Sequence, residues 1–158
     1  MKWDEYFFEL CETVAKKSKD TSTKMGAIFV GKNKEIKAIG FNGFPKGVKD
    51  DVSLFPERYE RPDKYIWTEH SERNAIAFAA RNGVPLDGCT VYLTWAPCAE
   101  CVRMMIQCGV VEIVVKKQTM YIHSKSTDKA RDEMWKKSFE VANQMLLEAG
   151  VKLRIQGE

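Results

Sequence analysis

The sequence predicts an α/β fold: a mixed five-stranded sheet covered by helices on both faces, built as a single domain over residues 1–158. Three observations predict it. Segments with apolar residues at helical spacing alternate with short apolar runs of strand length. Two of those runs are joined by only four polar residues, 31–34, which suits an antiparallel hairpin. The later runs are separated by helical segments, and a strand–helix–strand connection pairs its strands in parallel.

Taken in order, Trp3, Tyr6, Phe7, Leu10, Cys11, Val14 and Ala15 form one apolar stripe, so the chain opens with an amphipathic helix ending near residues 17–20. Residues 26–30 and 36–41 are the first two strands. From 42 to 68, Gly43, Pro45, Gly47, Pro56 and Pro62 break any regular pattern and predict a long loop, of a length that carries function or mobility. Residues 71–82 form the second helix, closed by Gly83 and Pro85. A strand at 90–93, a helix at 99–108 stopped by Gly109, and a strand at 110–115 follow. The last helix, 128–149, is expected to bury Met134, Val141, Met145 and Ala149; Gly150 ends it, and 151–155 is a fifth strand parallel to the fourth.

Composition narrows the function. With 158 residues and 44% of them hydrophobic, the chain supports one real core and not two. No apolar run approaches a bilayer crossing, and Met1 leads straight into an amphipathic pattern, so neither a membrane span nor a secretion signal is expected and the location is read as cytoplasmic. The net charge of +3 is too small for a protein wrapped along nucleic acid. Five cysteines, an odd count in a chain read as cytoplasmic, favour metal or free thiols over disulfides.

The chemistry sits in two short segments. Cys98 and Cys101, in Pro97-Cys98-Ala99-Glu100-Cys101, lie on one side of a helix's first turn, where free amide hydrogens and the helix dipole favour thiolates. Two thiolates do not complete a zinc site. His70 opens the preceding helix as Cys98 opens its own, so the two helix starts converge; three protein ligands leave a fourth position for water. Glu72, two residues beyond His70, is placed to move protons. Cys-x-x-Cys alone also suits a redox pair or half of a structural zinc site; His-x-Glu upstream turns the balance toward a catalytic zinc. Cys11, Cys89 and Cys108 are read as core residues, His123 as a surface residue, and the basic residues Lys116, Lys117, Lys125, Lys129, Arg131, Lys136 and Lys137 mainly as a solvated face.

On these motifs, with Gly40-Phe41-Asn42-Gly43-Phe44-Pro45, residues 21–26 and Asn74-Ala75-Ile76, the chain from about 18 to 115 resembles the zinc-dependent cytidine deaminase superfamily, and within it the deoxycytidylate (dCMP) deaminases. The resemblance implies a three-layer cytidine-deaminase-like fold, one catalytic Zn2+, and hydrolysis of dCMP to dUMP for thymidylate synthesis. It also implies a homo-oligomer with dCTP and dTTP as effectors, dCTP acting with Mg2+. His70, Cys98 and Cys101 would hold the metal and Glu72 would shuttle protons to N3 and the departing ammonia; Asn42 would contact the sugar hydroxyl. Ser71, Trp95, Ala96, Tyr121 and Lys24 complete the expected substrate contacts. Two positions depart from the family. Ser71 stands where Ala is usual, and its hydroxyl adds a hydrogen bond; Thr94-Trp95-Ala96 before Pro97 looks closer to deaminases of single-stranded nucleic acid.

Three functions therefore compete: dCMP deamination; deamination of single-stranded nucleic acid or of another cytosine nucleotide such as dCTP, with Trp95 and Tyr121 stacking on flanking bases; and a non-enzymatic zinc module. The near-neutral charge disfavours nucleic acid, and the module needs a fourth protein ligand that the sequence does not offer nearby. For the phosphate, Lys24, Lys46, Lys49, Arg58 and Arg61 are all candidates, and no spacing chooses among them.

Overall fold

The computed structural model describes residues 1–116 and 128–156. In chain order these form α1 (Trp3–Ala15), β1 (Gly26–Val30), β2 (Ile36–Phe41), a 3-10 turn at Pro56–Tyr59, α2 (Lys64–Trp67), α3 (Ser71–Asn82), β3 (Thr90–Leu93), α4 (Ala99–Gln107), β4 (Glu112–Val115), α5 (Lys129–Ala149) and β5 (Lys152–Ile155). Among the described residues the strands make one five-stranded sheet ordered β2–β1–β3–β4–β5. β1 runs antiparallel to both β2 and β3, while β3, β4 and β5 are parallel.

Local chemistry explains the elements. In the β1–β2 turn, Gly31 N–H donates to Glu35 O at 2.8 Å and Lys34 sits in the left-handed region at φ +67°. β1 is buried from end to end, which is why it reads as an unbroken apolar run rather than an alternating one. α3 and α5 both stop at a left-handed glycine, Gly83 and Gly150, and the Asp128 carboxylate caps α5 by accepting from Arg131 N–H.

Helices cover both faces. α1 lays Phe7, Phe8 and Cys11 on Ile28, Tyr92 and Val114; burying each of the two phenylalanines contributes about 1.5–3 kcal/mol. On the opposite face α3, α4 and α5 cover Phe29, Val91, Leu93, Ile113 and Val115. The first turn of α3 rests directly on β2: a Cβ at Gly40 would lie 2.1 Å from the Ser71 carbonyl oxygen and 2.6 Å from the Ala75 nitrogen.

Two expectations are corrected. α5 turns Ala142 and Leu146 inward, with Trp135 and Met145 packed beside them, whereas Met134, Val141 and Ala149 are exposed. The helix carries two apolar stripes about 100° apart, and the one with the aromatic rings and Leu146 buries more area. Residues 42–68 are not an open loop. Phe44 stacks on Tyr59 with ring centroids 4.7 Å apart, and the Arg58 guanidinium lies 4.3 Å from the ring centroids of both Phe55 and Trp67. Tyr59 OH donates to Asp50 O at 2.6 Å, so the segment folds around its own aromatic cluster.

Candidate active site

His70 is the N-cap of α3 and Cys98 the N-cap of α4, both with extended backbone, and Cys101 lies in the first turn of α4. The two helix starts meet so that His70 Nδ1 is 3.6 Å from Cys98 Sγ and 3.4 Å from Cys101 Sγ. A tetrahedral zinc ion with ordinary Zn–S and Zn–N bonds separates its sulfur and nitrogen ligands by about 3.6 Å, so the donor set fits the metal. Among the described residues this is the one group of His, Cys or carboxylate donors that gathers in this way. Within the cluster the Cys98 thiol is pulled down to about 4, by a hydrogen bond from Cys101 against the opposing effect of burial, with His70 adding another. Cys101 is pushed up by donating that bond and by burial. One thiolate is thus already favoured, and a doubly charged cation supplies what the second needs.

Glu72, in the first turn of α3, is buried, and Ser71 Oγ donates to its Oε2 at 2.9 Å. Both residues line a cavity of about 300 Å³ whose wall also includes His70 and Cys98. Trp95 and Ala96 line it too, as does Asn42, whose amide is largely engaged: Oδ1 accepts from Met25 N–H at 2.7 Å and Nδ2 donates to Thr23 O at 2.9 Å. Lys24 lines a neighbouring cleft with Glu12, Lys16 and Lys116, whereas Thr23 and Met25 on either side of it line the cavity. Tyr121 and His123 lie outside the described residues. Cys11 donates to Tyr92 O at 3.2 Å, and burial pushes its thiol well up; Cys89 is buried in the core and Cys108 packs against it.

The structure brings further residues to the cavity. Arg61, Lys64 and Arg131 bring positive charge to the cavity. Of these only Arg61 was among the candidates for the phosphate; Arg131 had been assigned to a solvated face, and Lys64 had no signal of its own. Tyr65, Trp135 and Phe139 add rings: Trp135 stacks over His70 at 6.4 Å between centroids and over Phe139 at 6.0 Å. The i, i+4 spacing of Trp135 and Phe139 was a usable signal. α5 is pinned to the start of α4 where Ala99 N–H donates to Ser138 Oγ at 3.0 Å.

Beneath the cavity, Lys64 Nζ pairs with Asp20 Oδ2 at 2.8 Å and donates to Ser22 Oγ at 2.7 Å, with both charged side chains nearly buried. Burial raises the Asp20 pKa, but hydrogen bonds from Lys64, Thr23 N–H and Ser22 N–H outweigh it and hold the carboxyl below its ordinary range. Thr68 Oγ1, also in the cavity wall, is buried without a hydrogen-bond partner among the described residues.

Residues 1–117 match the family model of the cytidine and deoxycytidylate deaminase zinc-binding region. An uncharacterised deaminase of Aliivibrio fischeri is 36% identical over 152 residues, covering 96% of this chain and 92% of that one. A probable deoxycytidylate deaminase of Drosophila melanogaster is 38% identical over 136 residues, 80% of this chain; the match spans 62% of the fly protein. The dCMP deaminase of cyanophage S-TIM5, solved in complex with dCMP and dUMP, superposes with a TM-score of 0.70 at 25% identity, over 99% of both chains. The zinc-type donor set lies within the matched region, and the chain belongs to the cytidine and deoxycytidylate deaminase family.

Proposed function

We propose that this chain hydrolyses dCMP to dUMP and ammonia in the cavity beneath α5. The observation that carries this reading is the meeting, in one cavity, of two ligands of the His70–Cys98–Cys101 cluster, the Glu72 carboxylate, and the cations Arg61, Lys64 and Arg131. Zinc on that cluster supplies Lewis acidity toward water and toward the charge that develops during attack. Glu72 would take the proton that water gives up and place it on N3, then take the proton of the new C4 hydroxyl and pass it to the amino group as the C4–N bond breaks and C4=O forms. Ser71 holds that carboxylate in place.

The other walls supply the substrate contacts. Tyr65, Trp95, Trp135 and Phe139 give the base and sugar an aromatic enclosure, and Arg61 and Arg131 face a 5′-phosphate, the Lys64 charge being balanced by Asp20. Asn42 Oδ1 retains a second lone pair for a sugar hydroxyl, and Ser71 and Ala96 border the base. The homo-oligomeric state, dCTP and dTTP effectors with Mg2+, and a cytoplasmic location belong to the same proposal, supported by family resemblance. Among the described residues no helix is long and apolar enough to cross a membrane.

One observation favours the reading in which single-stranded nucleic acid is the substrate. Thr94 and Trp95 border both the cavity and the cleft lined by Lys16, Lys24 and Lys116, so a polynucleotide leaving the cavity would meet a ring and then cations. Ammonia release from dCMP, dCTP, deoxycytidine and a cytosine-containing oligonucleotide separates the readings. The expected result is that dCMP is turned over fastest, and that Arg61→Glu or Arg131→Glu raises KM for dCMP roughly tenfold or more while sparing deoxycytidine. Faster turnover of the oligonucleotide or of dCTP overturns the assignment.

A further inference from the structure

The three metal donors come from two separate helix starts, so the metal centre is only as well defined as the distance between them. We propose that Arg73 is the residue that holds this distance: its guanidinium lies between Glu69, which precedes His70, and Glu100, which lies between Cys98 and Cys101. It is a positioning residue and touches no substrate.

Each end of the bridge is anchored. The Glu69 backbone is locked to the segment that follows β2 by an isolated bridge of two hydrogen bonds, Gly43 N–H to Glu69 O at 3.0 Å and Glu69 N–H to Gly43 O at 2.9 Å. Its carboxylate accepts from His70 N–H at 2.9 Å and from Arg73 Nε, so one carboxylate fixes both the backbone of the histidine ligand and the guanidinium. The other edge of the guanidinium reaches the Glu100 carboxylate on the first turn of α4. A planar guanidinium engages two carboxylates at once in a fixed geometry, which an ammonium does not reproduce. Glu100 is 60% exposed, and an ion pair at such a position adds little to global stability. Its effect is therefore expected at the metal rather than in the fold.

The inference rests on the zinc reading of the cluster, and one set of measurements separates the two. Zinc content is measured on the purified chain, zinc release to a chromophoric chelator is timed, and the absorption of the Co2+-substituted protein is recorded for the parent, Arg73→Leu, Glu100→Gln and the double variant. Arg73→Leu is expected to lose zinc roughly 10- to 100-fold faster and to shift the sulfur-to-cobalt bands. Glu100→Gln should act in the same direction with an unchanged melting temperature, and the double variant should add nothing to Arg73→Leu. Release rates and cobalt spectra equal to the parent overturn the positioning role, whereas a parent chain without zinc overturns the metal reading itself. Should Arg73→Leu fail to fold, Glu100→Gln at its exposed site decides the matter by the same readings.

Discussion

Ser71 Oγ and Glu72 Oε2 are joined by a 2.9 Å hydrogen bond between two buried, consecutive side chains at the start of α3. Neighbours along a helix do not ordinarily face one another, so the bond constrains the carboxylate to one orientation. A hydrogen bond to a charged group contributes about 1.5–3 kcal/mol. Ser71→Ala is expected to lower kcat about tenfold or more while KM, zinc content and melting temperature stay near those of the parent. A kcat within twofold of the parent would show that something else orients Glu72.

Glu72 and Cys98 should separate chemistry from metal binding. Glu72→Ala is expected to retain one equivalent of zinc and lose activity by roughly two to four orders of magnitude. Cys98→Ser should lose the zinc as well, because two donors do not make a tight site. Metal analysis beside the ammonia assay checks both; an active, zinc-replete Cys98→Ser protein rules the assignment out.

Asp20 makes stability depend on acid. Its carboxyl pKa is lower in the fold than its unfolded value of about 3.9, so its contribution is complete above that value and is lost as pH falls through the lower folded one. Asp20→Asn leaves the Lys64 ammonium buried beside no carboxylate, and is expected to cost about 3–5 kcal/mol at pH 7 and less at pH 3. Denaturant unfolding across pH 3–7 measures this; a pH-independent difference between the two proteins defeats it.

Thr68 should show opposite effects on fold and function. Its buried hydroxyl has no partner among the described residues, so the near-isosteric Thr68→Val is expected to stabilise the free protein by about 1–3 kcal/mol. If a substrate atom or a water held by the substrate completes that hydroxyl, KM for dCMP rises in the same variant. Thermal denaturation and steady-state kinetics on one preparation give both numbers, and a rise in melting temperature without a change in KM removes Thr68 from the substrate site.

What the amino-acid order makes legible here is whatever is local. The β1–β2 hairpin and the limits of α3 follow from turn residues, caps and periodicity, and the metal donors follow from cap positions and a three-residue spacing. Lys64 was not legible, because its importance comes from Asp20, forty-four residues earlier, and only packing brings them together. Arg131 sits in a basic run that looks like any solvated helix face; it reaches the cavity because the Trp135 and Ala142 side of α5 turns inward. Lys24 shows the reverse: it lies between two cavity residues in sequence, Thr23 and Met25, yet lines the neighbouring cleft.

The bare backbone of Gly40 gives the start of α3 and the rest of the cavity wall different tolerance for change. Where Gly40 meets Ser71 and Ala75, main chain presses on main chain, and no side chain can be added without lifting the helix off the sheet. Much of the remaining wall is built from side chains on α5 and on the segment from 42 to 68. Selection for a new nucleobase or a bulkier sugar would therefore accumulate its changes at positions such as Tyr65, Trp135 and Phe139, while the platform that carries the reaction passes unaltered from one specificity to the next.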